Sequence, residues 1–453
     1  MKKLFTTTVI LVTALVLISS CTEVNPYGLR IDRNGLVIMP EGKEVYIQQE
    51  WKDSLQLDLQ DPESEWSYHR MYCTKDISIF WQKGFGTDPS VAPDLDGHPM
   101  TFDVFRVADR IQYFYDYFYE HMGFIQPGSK AEKYRMLCFV KYDLEATAYG
   151  GNVDDTIGAL WVTPVRIQDE AMNCIAHELG HAFQFQILSD GTGDGWGGSG
   201  FYEMTSQWML WTVNNDWMTS EKYHWDDFNK LTHKAYLDGS NIYHSPYVLM
   251  WWSQQHGEPI IADLYREGKR GDDPVITYKE HFNMNQEQFN DDMYEGVRTF
   301  INWDWKNENI YNEARPYANK NVTALVDAGD GWQRVSPENC PENYGYNGIA
   351  LPLPKQGETV YVSFRGEAGL KGYSNAHVEN AGWRYGFVAV DKDGKASYGE
   401  THSEKEATIS YTAETELSYL WLVVMGAPTE HVQLPGWRSR GPNDQWPYSI
   451  RIK

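Results

Sequence analysis

His177-Glu178-Leu179-Gly180-His181 lies in a segment, from about Asp169 to Leu188, whose apolar residues repeat with the spacing of a helix. The apolar stripe consists of Met172, Ile175, Leu179, Phe183 and Ile187. On a helix, residues four apart project from one face, so His177 and His181 can bind the same metal ion. Glu178 lies about 100° around the helix from His177, where it can take a proton from metal-bound water. The stretch therefore predicts a helix that carries a metal site and a general base.

A catalytic zinc site normally has three protein ligands, so a third ligand must come from elsewhere in the chain. The pattern H-E-x-x-H-x-x-G-x-x-H fails here, because Gln184 and Ile187 stand where it needs Gly and His. Asp190 and Asp194 follow the helix in a glycine-rich stretch, where Asp more often makes turns. They are retained only as less favoured ligands.

Glu203 is the preferred third ligand. It follows His181 by 22 residues and begins a second helical pattern, with apolar residues at Phe201, Met204, Trp208 and Trp211. That separation is long enough for the first helix to end, a glycine loop to reverse the chain and a second helix to return antiparallel. We therefore expect one Zn²⁺ to be bound by His177, His181 and Glu203.

These residues resemble those of the gluzincin metallopeptidases, in which H-E-x-x-H and a later Glu, often in E-x-x-[SAD], bind one Zn²⁺. Ser206 stands at the fourth position of the second motif. The resemblance implies a zinc-dependent endopeptidase with Glu178 as the base. Many gluzincins orient a ligand His with an acid four residues after the ligand Glu. That position is Gln207 here, and an amide supplies no charge, which puts metal affinity in doubt.

The resemblance also implies a group that stabilises the oxyanion and a strand that holds the substrate. Gluzincins commonly use a Tyr or His from the second half of the domain, and Tyr247 is the first candidate here, with His244 second. The strand before the active helix, Gly158–Thr163, is expected at the edge of the sheet, where it would pair with an extended peptide. An interior position for this strand is the alternative.

Patterns around the motif favour the α+β class. Residues 66–315 are predicted to form a zincin-like catalytic domain with a small mixed sheet and helices, and 320–453 an antiparallel β-sandwich. Residues 21–65 are predicted to form a tether and a small β segment. The clearest elements are strands at Ile77–Trp81 and Met136–Tyr142, a helix at Asp103–His121 and a hairpin turn at Asp393-Gly394. As a whole, the chain resembles secreted bacterial lipoproteins that have a zincin-like domain and a C-terminal β-domain.

The first residues resemble a lipoprotein signal peptide. Lys2 and Lys3 precede a mostly apolar run at Val9–Ile18, which is too short to span a bilayer but suits a signal peptide. The run ends in Ser19-Ser20-Cys21, which is similar to the lipobox of bacterial lipoproteins. We therefore expect residues 1–20 to be removed, Cys21 to be lipidated, and the chain to be anchored in the cell envelope. Thr22, rather than Asp, favours the outer membrane.

Composition and charge limit the partners. The 453 residues include 39 Lys and Arg against 63 Asp and Glu, a net charge of −24, which disfavours nucleic acid binding. We expect a monomer that acts on a protein or glycoprotein and contacts the membrane only through the lipid anchor. The alternative hypothesis is a catalytically idle zincin fold whose β-domain binds glycans or host proteins. Its candidate glycan-stacking residues are Trp383, Tyr385, Tyr398, Trp421, Trp437 and Trp446.

Overall fold

The computed structural model describes residues 23–198, 201–235, 237–306, 312, 314, 322–433 and 443–453. The predicted signal peptide and Cys21 lie outside these ranges. Within them, no helix combines the length and the apolar character needed to cross a membrane.

The helices precede the C-terminal strands. They are α1 (Val104–His121), α2 (Lys130–Lys133), α3 (Pro164–Ile167), α4 (Asn173–Asp190), α5 (Tyr202–Val213), α6 (Trp217–Ser220), α7 (Lys222–Leu231), α8 (Tyr247–His256), α9 (Pro259–Glu267), α10 (Pro274–His281) and α11 (Gln286–Phe300).

The strands fall into an N-terminal group and a C-terminal group. The first is β1 (Glu23–Val24), β2 (Arg30–Ile31), β3 (Val37–Ile38), β4 (Glu44–Val45), β5 (Met71–Cys73), β6 (Ile77–Trp81), β7 (Tyr134–Val140), β8 (Tyr149–Val153) and β9 (Ile157–Val162). The second is β10 (Leu325–Gly329), β11 (Trp332–Val335), β12 (Tyr346–Ala350), β13 (Thr359–Gly366), β14 (Trp383–Asp391), β15 (Ala396–Tyr398), β16 (Glu406–Thr412), β17 (Leu417–Gly426) and β18 (Tyr448–Ile452).

The main sheet of the N-terminal part is mixed, with strand order β5-β6-β7-β9-β8 and β4 paired to β7. β6, β7 and β9 are parallel to one another, whereas β5 and β8 run antiparallel to their neighbours. α4 packs against β8 and β9 on one side and against α5 on the other. The motif helix is therefore held between the sheet and the helical half, and the α+β class is confirmed.

The edge strand differs from the prediction. Ala159 of β9 pairs with Leu137 of β7 on one side and with Gly151 of β8 on the other. The segment Gly158–Thr163 therefore supplies an interior strand, and its prediction as the edge was wrong. The edge beside α4 is β8, which was not predicted as a strand and whose two glycines and Asn give it a low strand propensity.

The motif helix α4 begins later than its periodicity indicates. Met172 has φ 52°, in the left-handed region, and its N–H donates to Asp169 Oδ1 at 2.6 Å. The predicted first turn is therefore a turn stabilised by Asp169, and the helix starts at Asn173. At the other end, Gly191 adopts a left-handed conformation and its N–H caps the helix.

The described part of the predicted tether packs against the N-terminal mixed sheet. Trp51 is only 3% exposed, and its ring lies 5.3 Å from that of Trp66 and 5.4 Å from that of Phe80. β4, also in this segment, extends the main sheet through Glu44 and Val45. The buried apolar residues before position 66, among them Leu29, Val37 and Trp51, thus join the core of the part that follows, while β1, β2 and β3 form a small antiparallel sheet of their own.

The C-terminal part contains two antiparallel sheets, of order β10-β11-β18-β13-β16 and β12-β17-β14-β15. Their facing side chains form a separate core that includes Val362, Phe387 and Leu422. The hairpin predicted at Asp393-Gly394 is present between β14 and β15, and Gly394 has φ 83°. α11 packs on the outer face of β14 and β17, so the two parts of the chain share an apolar interface.

Candidate metal centre

Three predicted ligands converge between α4 and α5. Glu203 Oε2 lies 3.1 Å from His177 Nε2 and 3.3 Å from His181 Nε2, and the two imidazole nitrogens are 3.1 Å apart. The three side chains are between 10% and 15% exposed. The helical spacing of the two His residues and the antiparallel return of α5 together produce this arrangement.

Two glutamines fix the orientation of the imidazoles. Gln207 Oε1 lies 2.8 Å from His177 Nδ1, while its Nε2 donates to the carbonyl of Tyr243 at 3.1 Å. Gln184 Oε1 lies 3.0 Å from His181 Nδ1, and its Nε2 donates to the carbonyl of Tyr202 at 3.1 Å. A carbonyl only accepts, so each amide must turn its oxygen toward the imidazole.

The hydrogen bonds leave three electron pairs facing one another. Because each neutral imidazole donates through Nδ1 to a glutamine, each Nε2 carries a lone pair directed at Glu203 Oε2. Three acceptors about 3 Å apart repel one another unless a cation lies between them. Ligand atoms around a tetrahedral Zn²⁺ are separated by roughly 3.3 Å, given Zn–N distances of about 2.0–2.1 Å. The residues therefore fit a divalent metal ion, and among the described residues they are the one such group.

The pKa values of two of the three side chains are shifted, and the shift of Glu203 favours its metal-binding form, whereas the raised pKa of His181 favours a proton that a metal ion would have to displace. Burial raises the pKa of the Glu203 carboxyl, but the hydrogen bonds and charges of His177 and His181 outweigh it, and the net pKa is lowered. Burial lowers the pKa of His181, and the negative charges of Glu203 and Glu178 reverse that effect and raise it. Glu203 is thus held as an anion, as a metal ligand requires.

Glu178 is buried next to the three ligands. It is 8% exposed, and its charge contributes to the raised pKa of His181. Its Oε1 lies 4.0 Å from the Cys174 sulfur, one turn earlier on α4. Burial raises the pKa of that thiol to about 12, so Cys174 is a neutral neighbour rather than a competing thiolate ligand.

The edge strand lies directly against the motif helix. A Cβ added to Gly150 of β8 would lie 2.1 Å from the Glu178 carbonyl oxygen and 2.7 Å from His181 Cβ. The next glycine, Gly151, has only Phe185 Cδ2 at 3.9 Å. Gly150 therefore permits the close approach of β8 to the two residues that carry the predicted chemistry.

We expect Gly150→Ala to destabilise the protein by about 1–3 kcal/mol, because the methyl group overlaps backbone that cannot move away. Urea unfolding of the variant measures the loss. Gly151→Ala is the matched control, since it places the same methyl group at ordinary contact distance, and it should cost much less. Equal stability of the two variants would contradict the close approach of β8 and α4.

We expect Gln207→Leu to weaken zinc binding by about 10–100-fold while the fold is kept, because His177 loses the acceptor that orients it. Competition with a chromophoric chelator measures the affinity. Gln126→Leu, on an exposed position, is the control and should bind zinc as the natural chain does. An unchanged affinity in Gln207→Leu would show that this amide does not position the ligand.

The two residues predicted to stabilise an oxyanion make their contacts with residues outside the cluster. Tyr247 is 2% exposed, and its ring packs 3.9 Å from that of Phe228 and 4.9 Å from that of Trp303. The first turn of α8 faces the aromatic core, so the structure corrects the assignment of Tyr247. His244 Nδ1 lies 3.1 Å from His224 Nδ1, and burial lowers the pKa of His244 to about 4.

Tyr243 lies near the cluster, although it was not among the residues predicted to stabilise an oxyanion. Its ring lies 6.3 Å from the His177 ring and is 40% exposed. Its carbonyl also receives the hydrogen bond of Gln207. The only signal in the sequence was its place at the start of the segment that contains the two other candidates.

The remaining predicted positions have structural partners. Asp190 accepts hydrogen bonds from Ser129 Oγ and the Lys130 N–H, and Asp194 lies 4.0 Å from Arg270. Ser206 Oγ lies 3.1 Å from His181 Nδ1, which gives the fourth position of the second motif a role beside the ligand. The two aspartates are absent from the cluster that the ligands form.

The aromatic side chains proposed for glycan stacking are mostly core. Trp383, Tyr385, Trp421 and Trp446 are each no more than 2% exposed. Tyr398 is half-buried and its hydroxyl donates to Asp304 at 2.8 Å. Trp437 lies outside the described residues. Among the described members of this group, none offers an exposed platform on which a sugar could stack.

The fold and the site define a mixed α+β protein with a potential His-His-Glu metal centre. The chain belongs to the family described as a family of unknown function (DUF6055), whose model matches residues 38–453. No curated protein matches the chain.

Two solved structures show a distant likeness. The CBM22-1 xylan-binding domain of Paenibacillus barcinonensis Xyn10C is 15% identical, with a TM-score of 0.17, and the match covers 29% of this chain and 78% of that domain. The family GH115 4-O-methyl-alpha-glucuronidase BtGH115A is 9% identical, with a TM-score of 0.14, and the match covers 65% of this chain and 46% of that enzyme. At these TM-scores neither likeness defines a shared fold.

Proposed function

We propose that this protein is a zinc-dependent endopeptidase that hydrolyses peptide bonds of extracellular proteins or glycoproteins. The observation that supports it most is the convergence of three electron-pair donors, His177 Nε2, His181 Nε2 and Glu203 Oε2, with their outer hydrogen bonds fixing both imidazoles. Glu178 is adjacent to the first ligand on the same helix. Metal-assisted hydrolysis requires a site that binds the metal ion and a general base beside that site.

When bound, Zn²⁺ supplies a Lewis acid that polarises the scissile carbonyl and makes water a stronger acid. Glu178 accepts the proton of the attacking water, whose oxygen bonds to the carbonyl carbon. The same carboxyl then gives that proton to the leaving nitrogen as the C–N bond breaks. Gln184 and Gln207 keep the two imidazoles in the tautomer that leaves Nε2 free of a proton.

The outer edge of β8 is the surface proposed to hold the substrate. The sheet ends at this strand among the described residues, so its outward N–H and C=O groups can pair with an extended peptide. The close packing at Gly150 keeps that edge beside Glu178 and His181. An extended segment, rather than a folded domain, is therefore the form of substrate that we expect.

We expect Tyr243→Phe to lower kcat about 10- to 100-fold with little change in zinc content, because the phenol donates to the oxyanion as charge develops. Tyr247→Phe is the matched control, since that ring belongs to the aromatic core. Steady-state kinetics of both variants on one peptide tests the assignment. Equal activity of Tyr243→Phe and the natural chain would remove Tyr243 from the mechanism.

Delivery to the cell envelope through a lipid on Cys21 is part of the same proposal. It is supported by the Ser19-Ser20-Cys21 sequence after an apolar run. Metabolic labelling with a fatty acid, compared with a Cys21→Ala variant, tests it. Labelling of both chains, or of neither, would contradict lipidation at this residue.

The function is tested by incubating the zinc-loaded protein with a proteome-derived peptide library and identifying new termini by mass spectrometry. We expect internal cleavage with a consistent preference for the residues that flank the bond. The absence of new termini, both with zinc and with a chelator, would contradict peptidase activity. The same profile names the residues that the site prefers.

A further inference from the structure

A cavity lies between α11 and the C-terminal sheets, and none of His177, His181 and Glu203 lines it. Its volume is about 320 Å³, at the low end of small-molecule sites. We call it the junction pocket and define it by Glu287 and Asn290 of α11 together with residues 381–384, Ser403 and Lys405. It thus draws on both parts of the chain.

Small residues keep the junction pocket open. Ala368, Ala381 and Ala427 line it, and at Gly382 an added Cβ would lie 2.1 Å from the Ala427 carbonyl oxygen. Gly382 consequently cannot be replaced by a residue with a side chain unless the backbone moves. The small side chains of Ala368, Ala381 and Ala427 therefore leave the space beside the start of β14 unfilled.

Arg384 brings a buried cation to the junction pocket. It is 6% exposed, its Nε donates to Asp291 Oδ1 at 2.6 Å, and its Nη1 donates to the Trp383 carbonyl at 3.2 Å. Its Nη2 has no hydrogen-bond partner in the part of the chain that the structure describes. Because Arg384 lines the cavity, this donor is free to bind an acceptor that enters it.

A second cation and two hydroxyl groups line the same space. Lys405 is exposed, and no described residue forms an ion pair with its ammonium group. Ser403 and Thr429 add hydroxyls. Because Asp291 neutralises Arg384, the lining has one uncompensated cation, Lys405, and one carboxylate, Glu287. The complementary ligand carries an anionic group that pairs with Lys405 and accepts from Arg384 Nη2, and hydroxyl donors for Glu287.

We propose that the junction pocket binds a single acidic sugar residue, which carries either a carboxylate or a sulfate. The cavity has room for one sugar ring but not for an extended peptide. Its mixture of charged, hydroxyl and small apolar groups matches the polar edges and apolar faces of a pyranose. The site is independent of the metal cluster, so it binds its ligand whether or not the chain hydrolyses peptides.

The proposal is tested by calorimetric titration of the full chain with glucuronic acid, glucose 6-sulfate, glucose and inorganic sulfate. We expect saturable binding of one or both acidic sugars, with a Kd on the order of 1 mM or tighter, and no binding of glucose. Preference for the carboxylate or the sulfate identifies which acid the pocket takes. No saturation by either acidic sugar, or equal binding of inorganic sulfate, would overturn the proposal.

Variants assign the binding to this cavity. Lys405→Ala should weaken binding of the acidic sugar about five- to tenfold, because one charge-assisted hydrogen bond is lost. Ala381→Leu should abolish binding by filling the space. Lys395→Ala, an exposed lysine outside the lining, is the matched control and should bind as the natural chain does. Equal affinity in Lys405→Ala and Lys395→Ala would place the ligand elsewhere and contradict the assignment.

Discussion

Replacing Glu178 with Gln is expected to lower peptide hydrolysis by about 10²–10⁴-fold while zinc remains bound. An amide of the same shape cannot accept the proton of the attacking water, and general-base catalysis is worth about that factor. The Glu178 side chain is 8% exposed and lies next to His177 in the sequence. Because Gln has the same shape as Glu, the substitution preserves the packing of this buried side chain. The measurement is kcat/KM on a peptide cleaved by the natural chain, with zinc content determined on the same sample.

Glu170→Gln is the matched control for Glu178→Gln. Glu170 is exposed, lies before α4 and has no part in the cluster, so its loss of charge should leave hydrolysis unchanged. A Glu178→Gln protein that keeps more than about a tenth of the natural activity would exclude Glu178 as the base. Loss of zinc in the same variant would assign Glu178 to metal binding instead.

Replacing Glu203 with Gln is expected to abolish tight zinc binding. The carboxylate supplies the only negative charge among the three ligands, and the neutral amide leaves the two imidazoles to hold the ion alone. The loss of zinc affinity should be larger than the roughly 10–100-fold loss expected when only a hydrogen-bond partner of a ligand is replaced. Zinc content after dialysis measures it directly.

Thermal unfolding is a second measurement of the loss of zinc binding in Glu203→Gln. Zinc at about 1,000 times its Kd stabilises the folded state by about 4 kcal/mol, so a chelator should lower the Tm of the natural chain by about 4–8 °C. The Tm of Glu203→Gln should be insensitive to the chelator. Glu120→Gln, an exposed residue of α1, is the control and should respond like the natural chain. A chelator-induced shift of equal size in Glu203→Gln would contradict its role as a ligand.

The convergence of His177, His181 and Glu203 was predictable because each part of this cluster is local. Helical periodicity fixes the relative positions of His177 and His181, and a glycine loop followed by a second helical pattern limits where Glu203 can return. The roles of Gln184 and Gln207 were not predictable in full. Whether an amide presents its oxygen or its nitrogen depends on the backbone carbonyls of Tyr202 and Tyr243, which only the folded structure brings near.

The edge strand was not predictable, because its sequence reflects a tertiary contact. β8 has low strand propensity, since Gly150 must be small to approach the Glu178 carbonyl. The strong strand pattern of β9 reflects burial on both sides, which is typical of an interior strand. The segment with the high strand propensity was therefore the interior strand β9, and the edge strand is its neighbour β8.

The choice of Tyr247 rather than Tyr243 as the oxyanion-stabilising residue depended on which way the first turn of α8 faces. Tyr247 begins α8, and its ring enters the aromatic core around Phe228 and Trp303. Tyr243 lies four residues earlier, in the loop that returns to the active helix and receives the hydrogen bond of Gln207. Sequence periodicity describes the helix but not the loop, so it could not separate the two.

The most direct test of the proposed function is to remove all metal from the chain and add Zn²⁺ back while hydrolysis of one cleaved peptide is followed. We predict no hydrolysis without metal, a linear rise with added zinc, and a plateau at about one equivalent per chain, as expected for a single His-His-Glu site. Activity that persists without metal, or that never appears at any zinc level, would contradict the account.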